Sequence, residues 1–120
     1  MARHGVRFLF TIASGQTLSN EFTGNAAKLA LGGAANMTIY GPAALTGVVT
    51  IQVAPLDAPA TSDFLAWQVD SVDQVVTAAK AKSMDGPSAF AMRLSSTIAE
   101  GATRLIPVIF QLDASEGYGD

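Results

Sequence analysis

The chain contains no cysteine and few charged residues, and both shortages exclude classes of protein. With no Cys among 120 residues, disulfide frameworks and thiolate metal sites are impossible, and the absence fits a reducing compartment. Charged residues make up 14% of the chain, whereas soluble domains typically have roughly 25%. Because interfaces are depleted of charge, so low a content indicates that other subunits cover part of the surface.

Basic charge and long apolar runs are also scarce. The formal net charge is −3, which argues against a nucleic-acid partner. Residues 29–56 contain no Lys, Arg, Asp, Glu or His, but Gly and Pro divide this stretch into pieces shorter than the about 20 apolar residues of a membrane helix. The N-terminus lacks the apolar segment of a signal peptide. We expect neither a nucleic-acid nor a membrane partner.

Apolar residues alternate with polar ones through most of the chain, which is typical of strands with one buried face. Gly and Pro turns separate the segments, so we predict one all-β domain over residues 1–120. The prediction is a β-sandwich, or jelly-roll-like fold, of about eight short antiparallel strands. Pro107 cannot donate to a ladder, so its strand should lie at an edge or carry a bulge there. The predicted strands are Val6–Ile12, Thr17–Phe22, Lys28–Leu31, Asn36–Tyr40, Val48–Val53, Phe64–Val69, Ala89–Leu94 and Thr103–Leu112.

The segment Ser71–Ser83 allows two interpretations. Val72, Val75, Val76 and Ala79 have the spacing of an amphipathic helix. The β-branched residues and the strands on either side instead favour a strand, a turn near residues 78–79 and another short strand. We predict strands here, with the helix as the alternative.

The residues that commonly carry catalysis are sparse or isolated. His4 is the only histidine and lies in a predicted terminal arm, where it is poorly placed to act as a base. The nearest carboxylate pairs in sequence, Asp57 with Asp63 and Asp70 with Asp73, fall in or beside predicted loops. Neither a complete Ca²⁺-binding loop nor a glycine-rich nucleotide motif is present. We therefore predict a non-enzymatic protein without a metal or cofactor.

Both ends of the chain and a few aromatic residues are candidates for contacts. Residues 1–5 are predicted to form a flexible N-terminal arm, and residues 113–120 a flexible acidic tail. These arms either stay in solvent or dock on a neighbouring subunit of opposite charge. Tyr40 lies opposite Met37 and Ile39 in its strand, so it is predicted to be exposed and to contact a protein or a sugar. Trp67 is either a core residue or a stacking platform.

The order of the segments resembles that of a known class. TIYGPAALTGVVTIQVAPLDAPATSDFLAWQ gives a strand, a Gly/Pro loop, an alternating strand, a Pro/Asp loop and an aromatic strand. AFAMRLSSTIAEGATRLIPVIFQL then pairs a strand with a long final strand. Over residues 36–112 this layout resembles small virion structural proteins of tailed bacteriophages, in particular the β-sandwich decoration or cement proteins of capsid surfaces.

This resemblance implies a non-enzymatic role. Such a protein is made in the host cytoplasm, binds the major capsid protein on the expanded shell, usually as a homotrimer, and stabilises the capsid surface of the virion. The alternative is a β-sandwich carbohydrate-binding or adhesin module of a head fibre or tail, with Tyr40 or Trp67 as its platform. The candidate contact residues, chosen from the sequence itself, are Arg3, His4, Arg7, Tyr40, Pro55, Asp57, Pro59, Asp63, Glu116 and Tyr118.

Overall fold

The computed structural model describes residues 3–113. Within that range the chain forms ten strands, one α-helix and one turn of 3₁₀ helix at Thr61–Asp63. The helix is α1, Gly24–Gly33. The strands are β1 Arg3–Ile12, β2 Ala34–Tyr40, β3 Val49–Ala54, β4 Leu65–Ala66, β5 Gln68–Val69, β6 Val72–Asp73, β7 Val75–Val76, β8 Ala81–Asp85, β9 Ala91–Ser96 and β10 Arg104–Asp113.

The strands form two main antiparallel sheets. Sheet A has the order β1-β10-β2-β8. In sheet B, β3 pairs along its whole length with β9 and also with the short strands β4 and β7. Between β4 and β7 the chain leaves the sheet as a small hairpin of β5 and β6, whose turn residues Asp70 and Ser71 have φ of 54° and 66°. The segment 17–22 lies against β9 through the bridges Leu18–Ser95 and Phe22–Met92.

The connections between the sheets define a jelly roll. The segment 17–22 is the second of eight strand positions, and β4 with β7 is an interrupted fifth. Counted in this way, sheet A has the order 1-8-3-6 and sheet B the order 2-7-4-5, the arrangement of a double-sheet jelly roll. The predicted all-β sandwich class is therefore confirmed, and α1 is an insertion between the second and third positions.

The hydrophobic core lies between the two sheets, and α1 covers one side of it. Sheet A contributes the inward side chains of β1, β2 and β10, which include the fully buried Phe10, Met37 and Phe110. Sheet B contributes Ile51 and Leu94 among others. The aromatic rings of this core lie close to one another, with Phe22 and Phe110 centroids 5.5 Å apart. These inward faces are the ones that the alternation predicts.

Four details of the predicted strands differ from the structure. The predicted strand Phe64–Val69 is divided, because Leu65–Ala66 pairs with β3 whereas Gln68–Val69 belongs to the separate β5–β6 hairpin. Lys28–Leu31 is part of α1, because Ala27, Ala30 and Leu31 are spaced as one helical face and are buried together. The segment 17–22 makes two bridges instead of a continuous strand. Phe90 precedes β9 and is 42% exposed, with Lys28 Nζ 5.4 Å from its ring centroid, so it does not share the buried face of Met92.

The contested segment agrees with the prediction, whereas Pro107 lies in an interior strand of sheet A, β10, that is an edge only locally at this residue. Residues 71–83 form short strands with a turn at residues 78–79, so the strand interpretation is confirmed. At Pro107, β10 pairs only with β1, because its pairing with β2 begins at Val108. Pro107, which has no N–H to donate, therefore lies where the β2 side of β10 is an edge without a ladder partner.

The predicted N-terminal arm is shorter than expected. Arg3, His4 and Gly5 belong to β1 and pair with residues 111–113 of β10, because the alternating pattern of β1 finds a partner along its whole length. Asp113, predicted as the start of the acidic tail, is likewise the last residue of β10. The rest of the tail and residues 1–2 lie outside the described residues.

A buried carboxylate, Glu100, ties together the loops at one end of the sandwich. Its side chain is fully buried. Oε1 accepts hydrogen bonds from the Thr46 N–H at 2.8 Å and from Arg104 Nε at 2.9 Å. Oε2 accepts from the Gly47 N–H at 2.9 Å and from the Ser96 hydroxyl at 2.7 Å. Four donors thus surround a carboxylate that water does not reach.

These contacts also fix the pKa of Glu100. Burial alone raises the pKa of this carboxyl, because it disfavours the charged form. The hydrogen bonds from Thr46, Arg104, Gly47 and Ser96 favour the charged form more strongly, so its pKa falls to about 2. The backbone of Glu100 also accepts from Gly15 N–H and donates to the Gln16 carbonyl, so three loops meet at this residue.

We expect Glu100→Gln to lower the free energy of unfolding by up to about 3 kcal/mol at neutral pH. The new amide N–H₂ would face donors only, and the charge-assisted hydrogen bonds would be lost. The pKa of Glu100 is lower in the folded state than in the unfolded chain. The ionised carboxylate therefore stabilises the fold above its ordinary pKa, and this stabilisation is lost as the pH falls toward 2. Urea unfolding at a series of pH values measures it.

The matched control is Asp57→Asn, which removes a carboxylate that is half exposed and 3.5 Å from Lys28 Nζ. Such a pair contributes about 0–1 kcal/mol, so this variant should unfold almost as the parent does. The account of Glu100 is wrong if the difference between parent and Glu100→Gln stays constant from pH 6 to pH 2.

Candidate functional site

The outer face of sheet B is covered by the chain itself. Residues 55–64 cross this face and place Phe64 against Ala54 and Ala91 in a second small core. Arg93 lies beneath the same loop, with its guanidinium 4.4 Å from the centroid of the Phe64 ring. This side of the sandwich is therefore closed by a loop that packs on it.

Arg93 holds this loop through several polar contacts. Its Nε donates to Gln52 Oε1 at 2.7 Å and its Nη2 to the Thr61 carbonyl at 3.4 Å. Its Nη1 lies 3.8 Å from the Glu21 carboxylate. Burial lowers the pKa of Arg93 from its ordinary value, and the charge of Glu21 partly offsets this effect. The guanidinium is thus a structural group, engaged on one side by the loop.

The outer face of sheet A has no comparable cover within residues 3–113. Because Phe10, Met37 and Phe110 point inward, the residues between them in each strand point outward. All of the outward residues named below are half-buried or exposed, and Arg7 and Asp85 are the charged members. The face consists of Gly5, Arg7, Leu9, Thr11, Asn36, Thr38, Tyr40, Ala81, Ser83, Asp85, Leu105, Pro107, Ile109 and Gln111. We call it the open face.

Strand β10 is apolar on both of its sides, which distinguishes the open face from an ordinary solvated one. Ile106, Val108 and Phe110 are fully buried in the core. Leu105 and Ile109 lie on the open face, and Leu105 is 53% exposed. An antiparallel sheet with one solvated face usually alternates apolar and polar residues. The centre of the open face therefore has the composition of a surface that a partner covers.

Tyr40 stands at the edge of this apolar centre and is 44% exposed. It pairs with Ala81 in β8. The backbone after it is held close to the turn 77–80, since the Gly41 N–H donates to the Lys80 carbonyl at 2.9 Å. A Cβ at Gly41 would overlap the Thr77 carbonyl, so glycine is required there. This tight contact fixes the position of Tyr40 on the open face.

The structure brings Arg7 and Tyr40 onto the same face, although they are far apart in sequence. Arg7 pairs with Ile109, which pairs in turn with Thr38, two residues before Tyr40. Arg3 and His4 lie in the same strand as Arg7. Glu116 and Tyr118 lie outside the described residues. A contact role for each of these residues remains a prediction.

The predicted loop residues occupy a different part of the surface. Asp57 is exposed and lies 3.5 Å from Lys28 Nζ, and its carbonyl accepts from the Gly24 N–H. Asp63 accepts from the Ala60 N–H at 2.8 Å and so closes its own 3₁₀ turn. Pro55 is exposed and Pro59 half-buried. These residues therefore anchor or flank the loop over sheet B and do not adjoin the open face.

A shallow groove beside this loop contains Trp67. It has a volume of about 340 Å³, and Pro55, Leu65, Trp67 and Pro87 are among its lining residues. The side chain of Trp67 is partly buried and packs against the core. The backbone N–H of Trp67 donates to the Ile51 carbonyl at 2.9 Å. The core interpretation of Trp67 thus has direct structural support.

The acidic residues of the described chain do not form a metal-binding cluster. Within residues 3–113, no three His, Cys, Asp or Glu side chains come together in a way that would hold a metal ion. Asp73 accepts a hydrogen bond from the Gln68 amide at 2.7 Å, and Asp70 lies in the hairpin turn. No helix in this part of the chain has the length and apolar character needed to cross a membrane.

The sequence reasoning missed the apolar centre of the open face. Leu9, Leu105 and Ile109 were not proposed as contact residues, although the signal was present. The run LIPVIF in β10 has no polar residue at alternate positions, which is typical of a strand covered on both faces. The apolar outward residues of β10 are therefore the sequence signal for the open face.

Comparisons with known proteins bear on the fold of this jelly-roll sandwich. No protein-family model matches the chain, and no curated protein matches it. Among solved structures, the chain is similar to the crystal structure of the SPBc2 prophage-derived protein YomS. The TM-score is 0.60 at 11% identity, and the alignment covers 92% of this chain and 96% of that chain. At this identity the likeness establishes a shared fold.

Two neighbouring residues of β10 should respond very differently to truncation. Leu105→Ala removes an exposed side chain from the open face, so the free energy of unfolding should change by less than about 0.5 kcal/mol. Ile106→Ala removes a fully buried side chain and should cost about 2–5 kcal/mol. Chemical denaturation measures both, and similar losses at the two positions would contradict the assignment of faces.

Proposed function

We propose that this chain is a non-enzymatic structural protein of a phage virion, which binds the major capsid protein on the outside of an expanded capsid and stabilises the shell. The observation that carries the proposal is the open face of sheet A, whose central strand is apolar on its outer side as well as its inner side. The likeness to YomS, a prophage-derived protein, supports a phage origin.

The chemistry of the open face suits a protein partner. Its two charged members, Arg7 and Asp85, have opposite sign, and its centre consists of Leu9, Leu105 and Ile109. Interface centres are depleted of charge and enriched in large apolar and aromatic residues, and Tyr40 adds an aromatic ring at the margin. We infer that the face docks on a similarly uncharged part of the shell.

The size of the face supports the proposal that several copies act together. The four strands of sheet A span three spacings of about 4.8 Å and are about 30 Å long. The open face therefore has an area of at most about 400 Å². A stable protein interface takes about 800 Å² from each partner. One copy therefore offers about half of a standard contact, and linked copies would gain affinity through avidity. Homotrimeric assembly, which the resemblance implies, is one form of such linkage.

The proposal that the protein is not an enzyme is supported by the structural roles of its buried charged side chains. The most strongly perturbed carboxylate, Glu100, is enclosed and already has four donors. Arg93 lies under the loop that it anchors. Both groups serve the fold, and neither has space for a substrate beside it.

Co-sedimentation with expanded shells from the same source, free of this protein, tests the proposal. The parent should bind saturably, at a stoichiometry that matches a class of symmetry-related sites. Leu105→Asp places a charge at the apolar centre, so its affinity should fall roughly tenfold or more. Circular dichroism of the variant should show an intact fold, since Leu105 is exposed.

The matched control is Leu29→Asp. Leu29 is 66% exposed and lies on α1, away from the open face, so this variant should bind shells as the parent does. Equal binding by Leu105→Asp and the parent would remove the open face from the proposal. Absence of binding by the parent would remove the capsid role.

The exposure of Tyr40 supports a second candidate, a carbohydrate-binding or adhesin module of a head fibre or tail. An exposed aromatic ring beside polar groups such as Thr38 and Ser83, whose hydroxyls lie 2.8 Å apart, could stack on a sugar. In that case a glycan array should detect binding by the parent and its loss in Tyr40→Ala. Trp67 is a poor probe because it packs against the core.

A further inference from the structure

The outer edge of β1 is closed at one end by a single side chain. In an antiparallel pair, alternate residues direct both backbone groups toward the partner strand, and the others direct them away. Thr11 and Leu9 direct theirs away from β10, toward Asn20. Asn20 Oδ1 accepts from the Thr11 N–H at 2.7 Å, and its Nδ2 donates to the Leu9 carbonyl at 3.2 Å. The Asn20 N–H donates to the Thr11 carbonyl at 3.3 Å.

The rest of this edge has no such closure. By the same alternation, Arg3, Gly5 and Arg7 direct their backbone groups away from β10. Within residues 3–113, no hydrogen bond reaches the outward groups of Gly5 or Arg7. An unpaired row of this kind is a template for the addition of another strand.

The other sheet edges are protected in the usual ways. The edge strand β8 has five residues, is flanked by Lys80 and Pro87, and contains Lys82. Short length, lysine and proline all discourage strand pairing. In sheet B, the segment 17–22 covers β9, and the hairpin β5–β6 interrupts the opposite edge. The part of β1 from residue 3 to the N–H of Leu9 thus forms the long unprotected edge of the described structure, since the Leu9 carbonyl already accepts from Asn20.

We propose that this edge pairs antiparallel with the same edge of a second copy, with Val6 opposite Val6 at a two-fold axis. The proposal goes beyond the capsid role and does not depend on it. In such a pair, residues whose backbone groups point away from β10 must lie opposite one another. This condition allows the two-fold axis to pass at Gly5, Val6 or Arg7. The choice among these follows from the length of the ladder and from charge.

The axis at Val6 gives the longest ladder without opposed like charges. It pairs residues 3–9 with residues 9–3 of the second copy and ends at the N–H of Leu9, because Asn20 already occupies the Leu9 carbonyl and both backbone groups of Thr11. An axis at Gly5 shortens the ladder to residues 3–7. An axis at Arg7 sets two guanidinium groups opposite each other, which is destabilising.

The axis at Val6 also sets each Arg7 opposite Gly5 of the other copy. A Cβ built at Gly5 would have its nearest contact at 3.9 Å, with Ile109 Cγ2, so the surface above Gly5 has room for a long side chain. Pairing in this register joins two open faces side by side into one eight-stranded surface. The seven strand spacings of the combined surface outline about 1,000 Å², which exceeds the area that a standard interface takes from each partner.

Because the chain has no cysteine, a single introduced thiol reports on the axis. In the proposed register, the two residues at position 6 form a non-hydrogen-bonded pair with Cα atoms about 4.5 Å apart, within the range of a disulfide. Val6→Cys should form a covalent dimer rapidly under mild oxidation, as seen by non-reducing electrophoresis. Circular dichroism verifies that the variant is folded.

Three matched variants make the result specific. Gly5→Cys and Arg7→Cys report the other two axes and should cross-link much more slowly than Val6→Cys. Ser83→Cys, on the exposed side of β8, gives the rate of random collision. Faster cross-linking at position 5 or 7 would overturn the register. A rate at position 6 no higher than at position 83 would overturn the dimer.

Sedimentation velocity on the unmodified protein provides a test that needs no variant. The proposal predicts a dimer of two 12.4 kDa chains. Arg7→Pro should convert it to a monomer, because proline removes one outward N–H while leaving the ladder to β10 intact. A parent protein that is monomeric at its highest soluble concentration, or that forms a trimer without dimers, would contradict the edge pairing.

Discussion

The buried carboxylate of Glu100 is the constraint on which this end of the sandwich depends. It joins the turn at Thr46–Gly47, the loop that leads into β10 and, through its backbone, the turn that follows β1. Arg104, at the start of β10, donates to the same carboxylate. Removing the Glu100 carboxylate would leave four donors without their shared acceptor, so these contacts act as a unit. Of the strands that carry the open face, β1 and β10 are linked at this end by the network.

The two outer faces of the sandwich are treated in opposite ways by the chain. Over sheet B, residues 55–64 cover the strands, and Phe64 packs against Ala54 and Ala91 and against the guanidinium of Arg93 from β9. Over sheet A, the described chain places no segment, and the outward residues Leu105 and Ile109 are apolar. A protein with only 14% charged residues thus concentrates uncharged surface where no part of the described chain covers it. This asymmetry is the physical basis of the proposed docking role.

The sequence predicted the strands that have one buried face and a clear alternation. Phe10, Met37 and Val49 are buried as the alternation requires, and the strand interpretation of residues 71–83 holds. Helix α1 was missed because its buried face consists of Ala27, Ala30 and Leu31, which give little contrast in hydrophobicity. Small residues can pack a helix closely against β9 and β10 without the strong periodic signal that larger ones produce.

The sequence predicted only one part of the open face, the exposed aromatic residue Tyr40. Tyr40 stood out because a large aromatic residue occupied a polar position in its strand. Leu105 and Ile109 did not, because both sides of β10 are apolar and alternation alone cannot separate them. Glu100 had no sequence signal, since its four donors come from residues spread between positions 46 and 104. Contacts of this kind depend on the tertiary fold, which the sequence pattern does not specify.

Hydroxyl-radical footprinting of the protein, free and bound to expanded shells, tests the central claim most directly. Oxidation reports the exposure of individual side chains, and Leu105, Tyr40 and Leu29 are all exposed in the free structure. The account predicts that binding protects Leu105 and Tyr40 and leaves Leu29 unchanged. Protection of Leu56 and Leu65 beside the groove, with Leu105 still fully oxidised, would show that the other side of the sandwich meets the shell.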